Sequence, residues 1–335
     1  MATIEELGRT LQVLEDREAI RECLARYCYN ADLGRPKEWA SNFTPDGVLD
    51  TGPGTRAEGY EQLLAYISPP KGGRKTIANR GIHNITNLFI RVNGNKAWAE
   101  GYQIVLVKDT DGEARKVFKM GLSHWTFEKR NGRWFIKERV RREAGEGEWG
   151  GKVIKSYLDV NQIRDEPSNT DLTLSRPTAL EALEKRIQAL EDREGIRECL
   201  ARYCYNADLG RSEQWADNFT PDGVLNSGPT HSVKGRAALL NIVANPNGAH
   251  KAVEGRCTDN ITNLFIRVDG DEAWAEGYQI GLVREGEERR VLRMGLCHWT
   301  FKKQSGRWYI KEKVRREVGG VEWGGKVIRS YLDAK

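Results

Sequence analysis

Tyrosine, aspartate and histidine gathered in one enclosed site can move a proton near neutral pH without help from a metal or a nucleotide. A neutral imidazole oriented by a carboxylate is a general base, contributing about two to four orders of magnitude to a proton transfer. The carboxylate fixes the tautomer and stabilises the imidazolium. A tyrosine hydroxyl donates to a developing oxyanion or protonates a leaving hydroxide. The stretch Ile20–Arg35, IRECLARYCYNADLGR, carries Tyr27 and Asp32, and it returns letter for letter at Ile196–Arg211 with Tyr203 and Asp208. An identical run of that length is a duplication. Asp32 and Asp208 fall just before Gly34 and Gly210, where each helix is expected to stop, and a carboxylate at a helix C-terminus opposes the macrodipole. That placement is poor for structure and points to function. The five histidines are His83, His124, His231, His250 and His298. On residues alone His83 reads as a polar residue at a strand start. His124 and His298 hold the same place in SHWTF and CHWTF, as strand histidines beside tryptophan packing or as pocket residues.

The elements that must position these groups repeat in order. Thr3–Glu6 and Thr178–Glu181 are capping-box spacings, each followed by a long amphipathic helix that Gly34 or Gly210 ends. Five residues on a helix correspond to about 140° of rotation, so Tyr27 and Asp32 reach one pocket only if the helix ends near Asp32. Thr44–Gly47 and Thr220–Gly223 read as Pro-Asp-Gly turns, and that role accounts for Asp46 and Asp222. Short helices at 59–67 and 235–243 carry Leu63, Leu64 and Ile67 inward in the first copy. Divergent loops follow at 68–80 and 244–256, where substrate selectivity usually resides. Four strands close each copy, at 83–92, 96–108, 117–129 and 134–143 in the first. Asn-Gly pairs at 93–94 and 131–132, replaced by Asp269-Gly270 and Ser305-Gly306, mark hairpins and an antiparallel meander. The expected class is α+β, with domains at 1–158 and 178–335 and a polar, proline-containing linker at 159–177. The matching tails EWGGKVIKSYLD and EWGGKVIRSYLD are each expected to pack on their own domain.

Composition narrows the partners. The 335 residues are 39% hydrophobic and 30% charged, an ordinary globular balance with room for two cores. The net charge of +5 is interleaved with acids, as in KERVRRE at 137–143, where Arg139 and Arg141 read as a solvated or subunit-facing surface. Nucleic acid is therefore not an expected partner, and no apolar run approaches the roughly 20 residues of a membrane span. The N-terminus shows no signal-peptide pattern. Six cysteines without zinc spacing read as reduced, buried thiols in a cytoplasmic protein, with no metal or cofactor expected.

RYCYNAD on a long helix, FTPDGV, HNITN, AWAEGYQI and NGRWFIKE together resemble the SnoaL-like branch of the NTF2-like superfamily, once per repeat over nearly the whole chain. The resemblance implies two tandem cone-shaped α+β barrels, each with an apolar pocket between helices and a concave sheet. It is closest to bile-acid dehydratase-like, scytalone dehydratase-like and lindane dehydrochlorinase-like enzymes. These carry a helix Asp and a strand His as a dyad, and the bile-acid type adds a Tyr five residues before the Asp. By position these are Asp32, His83 and Tyr27. The implied function is a cofactor-independent lyase (dehydratase) or isomerase acting on a small hydrophobic, aromatic or polycyclic molecule. The second copy keeps Tyr203 and Asp208 but has Asp259 in place of the histidine. Two acids held close do not both ionise cheaply, so Asp208 and Asp259 could form an acid–base pair, a polar-ligand site or a decayed site. The expectation is a decayed site serving as partner to an active first repeat. His124 and His298 are secondary site candidates. Epoxide opening or cyclisation through an Asp/Arg/Asp or Asp/Glu arrangement and plain ligand binding are the alternative functions. Relatives that pair through their sheets imply an internal pseudo-dimer, with further homo-oligomerisation left open.

Overall fold

Thr3 caps the first helix as its spacing with Glu6 predicts. Thr3 N donates to Glu6 Oε2 at 2.7 Å, and Glu6 N donates to Thr3 Oγ1 at 3.1 Å. The computed structural model describes residues 3–52, 54–68, 80–109, 115–144, 176–228 and 230–319. The repeated tails, most of the linker and most of the loop at 68–80 lie outside them. The chain divides into two compact units, Met1–Val107 with Val117–Gln188, and Lys108–Lys116 with Ala189–Lys335. Each is described by itself.

In the first unit α1 (Ile4–Asp32) ends where the glycine rule places it. Gly34 adopts φ +63°, Gly34 N donates to Ala31 O at 3.3 Å and Arg35 N to Asn30 O at 2.8 Å. These two bonds are a Schellman closure, and they stop the helix at the aspartate. Helices α2 (Pro36–Ala40) and α3 (Gly59–Ile67) follow on either side of strands β1 (Phe43–Asp50) and β2 (Arg56–Glu58). Strands β3 (Gly81–Asn93), β4 (Lys96–Lys108), β5 (Arg115–Arg130) and β6 (Arg133–Glu143) complete a six-stranded sheet in the order β2-β1-β6-β5-β4-β3. The second repeat follows the same plan with α4 (Arg176–Asp208), whose residues from Ala189 belong to the second unit, α5 (Ser212–Ala216), α6 (Arg236–Ala244) and strands β7 (Phe219–Gly228) to β12 (Arg307–Glu317). Between them come β8 (His231–Lys234), β9 (Cys257–Asp269), β10 (Glu272–Glu285) and β11 (Glu288–Gln304). The sheet order is again the same, β8-β7-β12-β11-β10-β9.

The meander β3-β4-β5-β6 forms as expected, and the structure departs from the sequence reading in three other places. First, β1 lies parallel to β6, and β7 parallel to β12, so the first long strand closes against the last instead of standing outside the hairpins. Second, Pro45–Gly47 is an irregularity within β1, not a turn before it. The pairing with β6 jumps from Phe43 to Val48, and a Cβ on Gly47 would meet Phe43 Cβ at 2.8 Å. Asp46 stays exposed there, where Lys137 Nζ donates to it at 2.5 Å and holds its carboxyl at about 2. Third, α4 begins at Arg176, which puts Thr178 inside its first turn and not at the cap.

Curvature has an identifiable source. Asn87 in HNITN sits at φ 53° where the β3–β4 register shifts between Thr86 and Phe89, and Asn263 repeats it at φ 54°. A bulge bends and twists its strand. The inner face of the first sheet packs Trp125, Phe127, Trp134 and Ile136 against Tyr27, Trp39 and Phe43, with Leu63 fully buried and Leu64 and Ile67 partly so. All six cysteines are buried and free. Among the described residues no helix is long and apolar enough to cross a membrane.

One buried acid ties each first helix to its sheet. Asp16 accepts from Trp134 Nε1 at 2.9 Å and from Lys129 Nζ at 2.6 Å. In the second unit Asp192 accepts from Trp308 Nε1 at 3.0 Å and lies 2.7 Å from Lys303 Nζ. Removing one partner of a buried charged network costs about 3 kcal/mol. Asp16→Ala is therefore expected to lower unfolding stability by about 3 kcal/mol in urea titrations followed by tryptophan fluorescence. A loss no larger than that of an exposed Asp→Ala change would show that the tie contributes little.

Candidate active site

Because α1 stops at Asp32, its carboxylate faces the start of β3. Asp32 is fully buried, and its Oδ2 accepts from the backbone N of His83 at 2.9 Å. Its Oδ1 is hydrogen-bonded to His83 Nδ1. With Nδ1 donating to a carboxylate, the imidazole carries its lone pair on Nε2, the tautomer of a general base. The His83 side chain is 17% exposed, inside the site and not on the surface.

Tyr27, one and a half turns earlier on the same helix, is buried beside Trp39, with ring centroids 5.3 Å apart. Its oxygen accepts from Arg139 Nη1, and Arg139 Nη2 donates to Gln103 Oε1. A guanidinium only donates, so this bond directs the tyrosine's own proton away from Arg139. Gln103 and Val105 are two residues apart on β4, and Val105 pairs with His83. Residues so spaced share a face about 7 Å apart. The Tyr27–Arg139 and Asp32–His83 clusters are therefore neighbours on the inner face of one sheet.

Arg139 and Arg141 overturn the surface reading of KERVRRE. They are 4% and 5% exposed, and Arg139 pairs across β5/β6 with the core residue Trp125. Arg141 lies 2.5 Å from Glu143, and burial together with the Arg139 charge lowers its pKa. Alternation put both on one face; only the sheet's closure made that face the interior. Arg139 and Gln103 are thus functional candidates that sequence reasoning missed, and the period-two spacing from Ile136 through the bulge was the available signal.

His124 and His298 do not join the site. Trp125 and Trp299 belong to the inner cores, so the preceding histidines project from the opposite sheet face. There His124 Nδ1 lies 2.9 Å from Glu100 Oε1, and His298 Nδ1 lies 3.1 Å from Glu276 Oε1. His298 also stacks on Trp274 at 5.9 Å.

In the second unit the backbone tie survives and the side chains change. Asp259 N donates to Asp208 Oδ2 at 2.9 Å and Oδ1 at 3.2 Å. Lys313 stands where Arg139 does, and its Nζ donates to Tyr203 Oη at 2.7 Å and to Gln279 Oε1 at 2.6 Å. Burial pushes the Tyr203 hydroxyl pKa up, against the lowering effect of Lys313. Asp208 and Asp259 are not an isolated carboxylate pair, because Arg293 bridges to Asp259. Nε donates to Oδ1 at 3.1 Å and Nη2 to Oδ2 at 2.9 Å. Gly281, in place of Val105, makes this possible. A Cβ there would meet Arg293 Cγ at 2.7 Å and Nε at 2.8 Å. The first repeat has Lys119 at the arginine position, 3.9 Å from Glu143. The loss of the histidine is thus accompanied by two matched changes. Cys257 brings its sulfur within 4.8 Å of the Asp208 and Asp259 oxygens, an arrangement able to offer three ligand atoms to a cation. Arg293 already balances the Asp259 charge. Burial, reinforced by the Asp259 charge, raises the Asp208 pKa to about 6.

A model of the SnoaL-like domain matches the chain twice, over residues 12–140 and 188–314. No curated protein matches it. Among solved structures, an NTF2-like protein with a cystatin-like fold from Novosphingobium aromaticivorans is 26% identical, covering 46% of this chain and 95% of its own at a TM-score of 0.40. A protein of the same organism named provisionally as a scytalone dehydratase is 20% identical over 41% of this chain and 91% of its own, TM-score 0.35. A Catenulispora acidiphila protein in complex with S-DNPA is 23% identical over 37% of this chain and 90% of its own, TM-score 0.32. The family match over both repeats, and not these partial overlaps, carries the assignment.

The raised Asp208 pKa has a consequence for stability. The folded chain keeps a proton on Asp208 that the unfolded chain has released, so this residue makes stability fall as pH rises from 3.8 to about 6. Asp208→Asn should flatten that fall when urea midpoints are compared across the window. Parallel curves for the two proteins would show that the group is not linked to folding.

Proposed function

The chain belongs to the SnoaL-like family, in two copies, and from that premise we propose that its first unit is a cofactor-independent acid–base lyase or isomerase. The observation that carries the reading is the double engagement of Asp32 with His83, through backbone nitrogen and imidazole Nδ1. A base must be held in position and in the right tautomer, and this pair of bonds does both.

In the reaction His83 removes a proton from carbon, leaving negative charge on an adjacent oxygen. Tyr27 donates to that oxygen or protonates the departing hydroxide, and Arg139, bonded to the phenol oxygen, stabilises the charge that the phenol takes on. Buried aromatic surface from Trp39, Phe43 and Trp125 favours a small, largely hydrophobic substrate. Elimination of water from a β-hydroxy ketone and migration of a double bond through an enolate draw on the same three groups.

Epoxide opening stands as a second reading for the second unit, supported by the Asp208, Asp259 and Arg293 cluster. Hydrolysis of styrene oxide that survives His83→Ala and disappears with Asp259→Asn would favour it.

The first-unit reading is tested with a panel of β-hydroxy ketones on aromatic and fused-ring skeletons, following enone absorbance. His83→Ala and Asp32→Ala are each expected to lower kcat about a hundredfold or more with the circular dichroism spectrum unchanged. Tyr27→Phe is expected to cost about tenfold. A kcat in His83→Ala equal to that of the unaltered chain, or loss of fold in place of turnover, would reject the assignment.

A further inference from the structure

The second unit has no histidine on β9, but an imidazole stands in the connection that leads into that strand. His250 lies in the connection between α6 and β9, immediately before the 3-10 turn Lys251–Val253. That connection is fastened to the site. Gly255 N donates to the backbone oxygen of Asp208 at 3.3 Å, and Arg284 N on β10 donates to Arg256 O at 2.9 Å. His250 Nδ1 is buried and has no hydrogen-bond partner. A buried polar atom left without a partner in a folded protein calls for one, and a ligand can supply it. The charges that act on this imidazole are Arg293 from β11, Asp259 from β9, and Glu254 and Lys251 from its own segment. Burial first, then Arg293, push its pKa down, so it is neutral, and basic, at lower pH than an ordinary histidine.

The surroundings suit proton removal from carbon. Asp259 holds Arg293 over Gly281, which fixes a cation without a strand side chain in the way. Asp208 is bonded to the Asp259 amide and sits at the end of α4, one turn beyond Cys204 and next to Ala207 of the apolar core.

We propose that His250 is the proton-accepting group of a second site in this unit, formed with Asp208, Asp259 and Arg293. It takes a small, largely apolar molecule with an acidic C–H and a leaving group on an adjacent atom. His250 takes the proton, the C–H electron pair forms the new π bond, and the leaving group departs with its own pair. Arg293 stabilises the departing negative charge and Asp208, when protonated, supplies the proton that neutralises it. No oxidant, reductant or further reactant enters. The second unit is then a re-equipped site and not a decayed copy of the first.

The test uses the full chain and 5-nitrobenzisoxazole, whose ring C–H is removed by a base as the N–O bond breaks, releasing a coloured cyanonitrophenolate. His83→Ala removes the first unit's base. Saturable turnover is expected to remain in that variant and to fall about a hundredfold in kcat/KM when His250→Ala is added. Its rate should rise with pH through a midpoint below that of free imidazole. Arg293→Gln, in the His83→Ala chain, should move the midpoint upward, because a positive charge that opposes protonation is gone. That shift separates proton transfer from a merely structural role. The proposal is overturned if His83→Ala abolishes saturable turnover, if adding His250→Ala leaves it unchanged, or if Arg293→Gln leaves the midpoint in place. Turnover lost with His83→Ala but untouched by His250→Ala alone would assign the chemistry to the first unit only.

Discussion

Both units depend on a hydrogen bond between the last carboxylate of a long helix and the backbone nitrogen of a strand residue. Asp32 accepts from the His83 amide and Asp208 from the Asp259 amide, each at 2.9 Å. The donor is main chain, so the tie does not depend on which side chain stands at that position. It docks the helix end against the sheet at the point where the Schellman closure releases the chain. A carboxylate there opposes the helix dipole, and the strand amide supplies the partner that offsets this. The scaffold is thereby fixed while the residue bearing the chemistry is left open to change. Histidine in one unit and aspartate in the other are two outcomes of the same constraint.

A second shared feature is a buried cation at the floor of each unit. Arg139 in one and Lys313 in the other reach the same two partners, a tyrosine oxygen and a glutamine oxygen. Both partners are neutral, and a buried charge among neutral dipoles is retained at a cost in desolvation. Its use is to stabilise negative charge as it develops. The substitution at 139 and 313 keeps the charge and changes its shape, a planar fork against a compact ammonium. Together with Gly281 and Arg293 it makes the second interior chemically different while its core keeps the same aromatic triad, Tyr203, Trp215 and Phe219.

Much of the fold was legible in the chain. The capping box, the glycine stops, the Asn-Gly hairpins and the duplication each rest on local backbone chemistry, and the elements follow them. The parallel pairing of β1 with β6 was not legible, because it joins segments about ninety residues apart and no turn residue announces it. The Pro-Asp-Gly stretch was misread for a related reason. Its turn chemistry is real, but pairing with β6 on both sides makes it a bulge within a strand. At the site, Tyr27, Asp32 and His83 came from motif resemblance, and their placement is compatible with it. Arg139 reads as surface in the sequence because alternation states which residues share a face and not which face is covered. His124 failed for the converse reason, since its neighbour Trp125 claimed the interior.

By itself the sequence determined two copies of one α+β unit, the end of each long helix at an aspartate, and the replacement of His83 by Asp259. These are properties of local spacing and of identity between repeats. Tertiary structure alone decided that Arg139 and Lys313 lie inside, that Arg293 crosses Gly281 to reach Asp259, and that the connection before β9 is tied at Gly255 to the backbone of Asp208. Each of those depends on which strand lies next to which and on whether a Cβ occupies the space between. Such relations are set by sheet closure over long separations, and no local pattern encodes them.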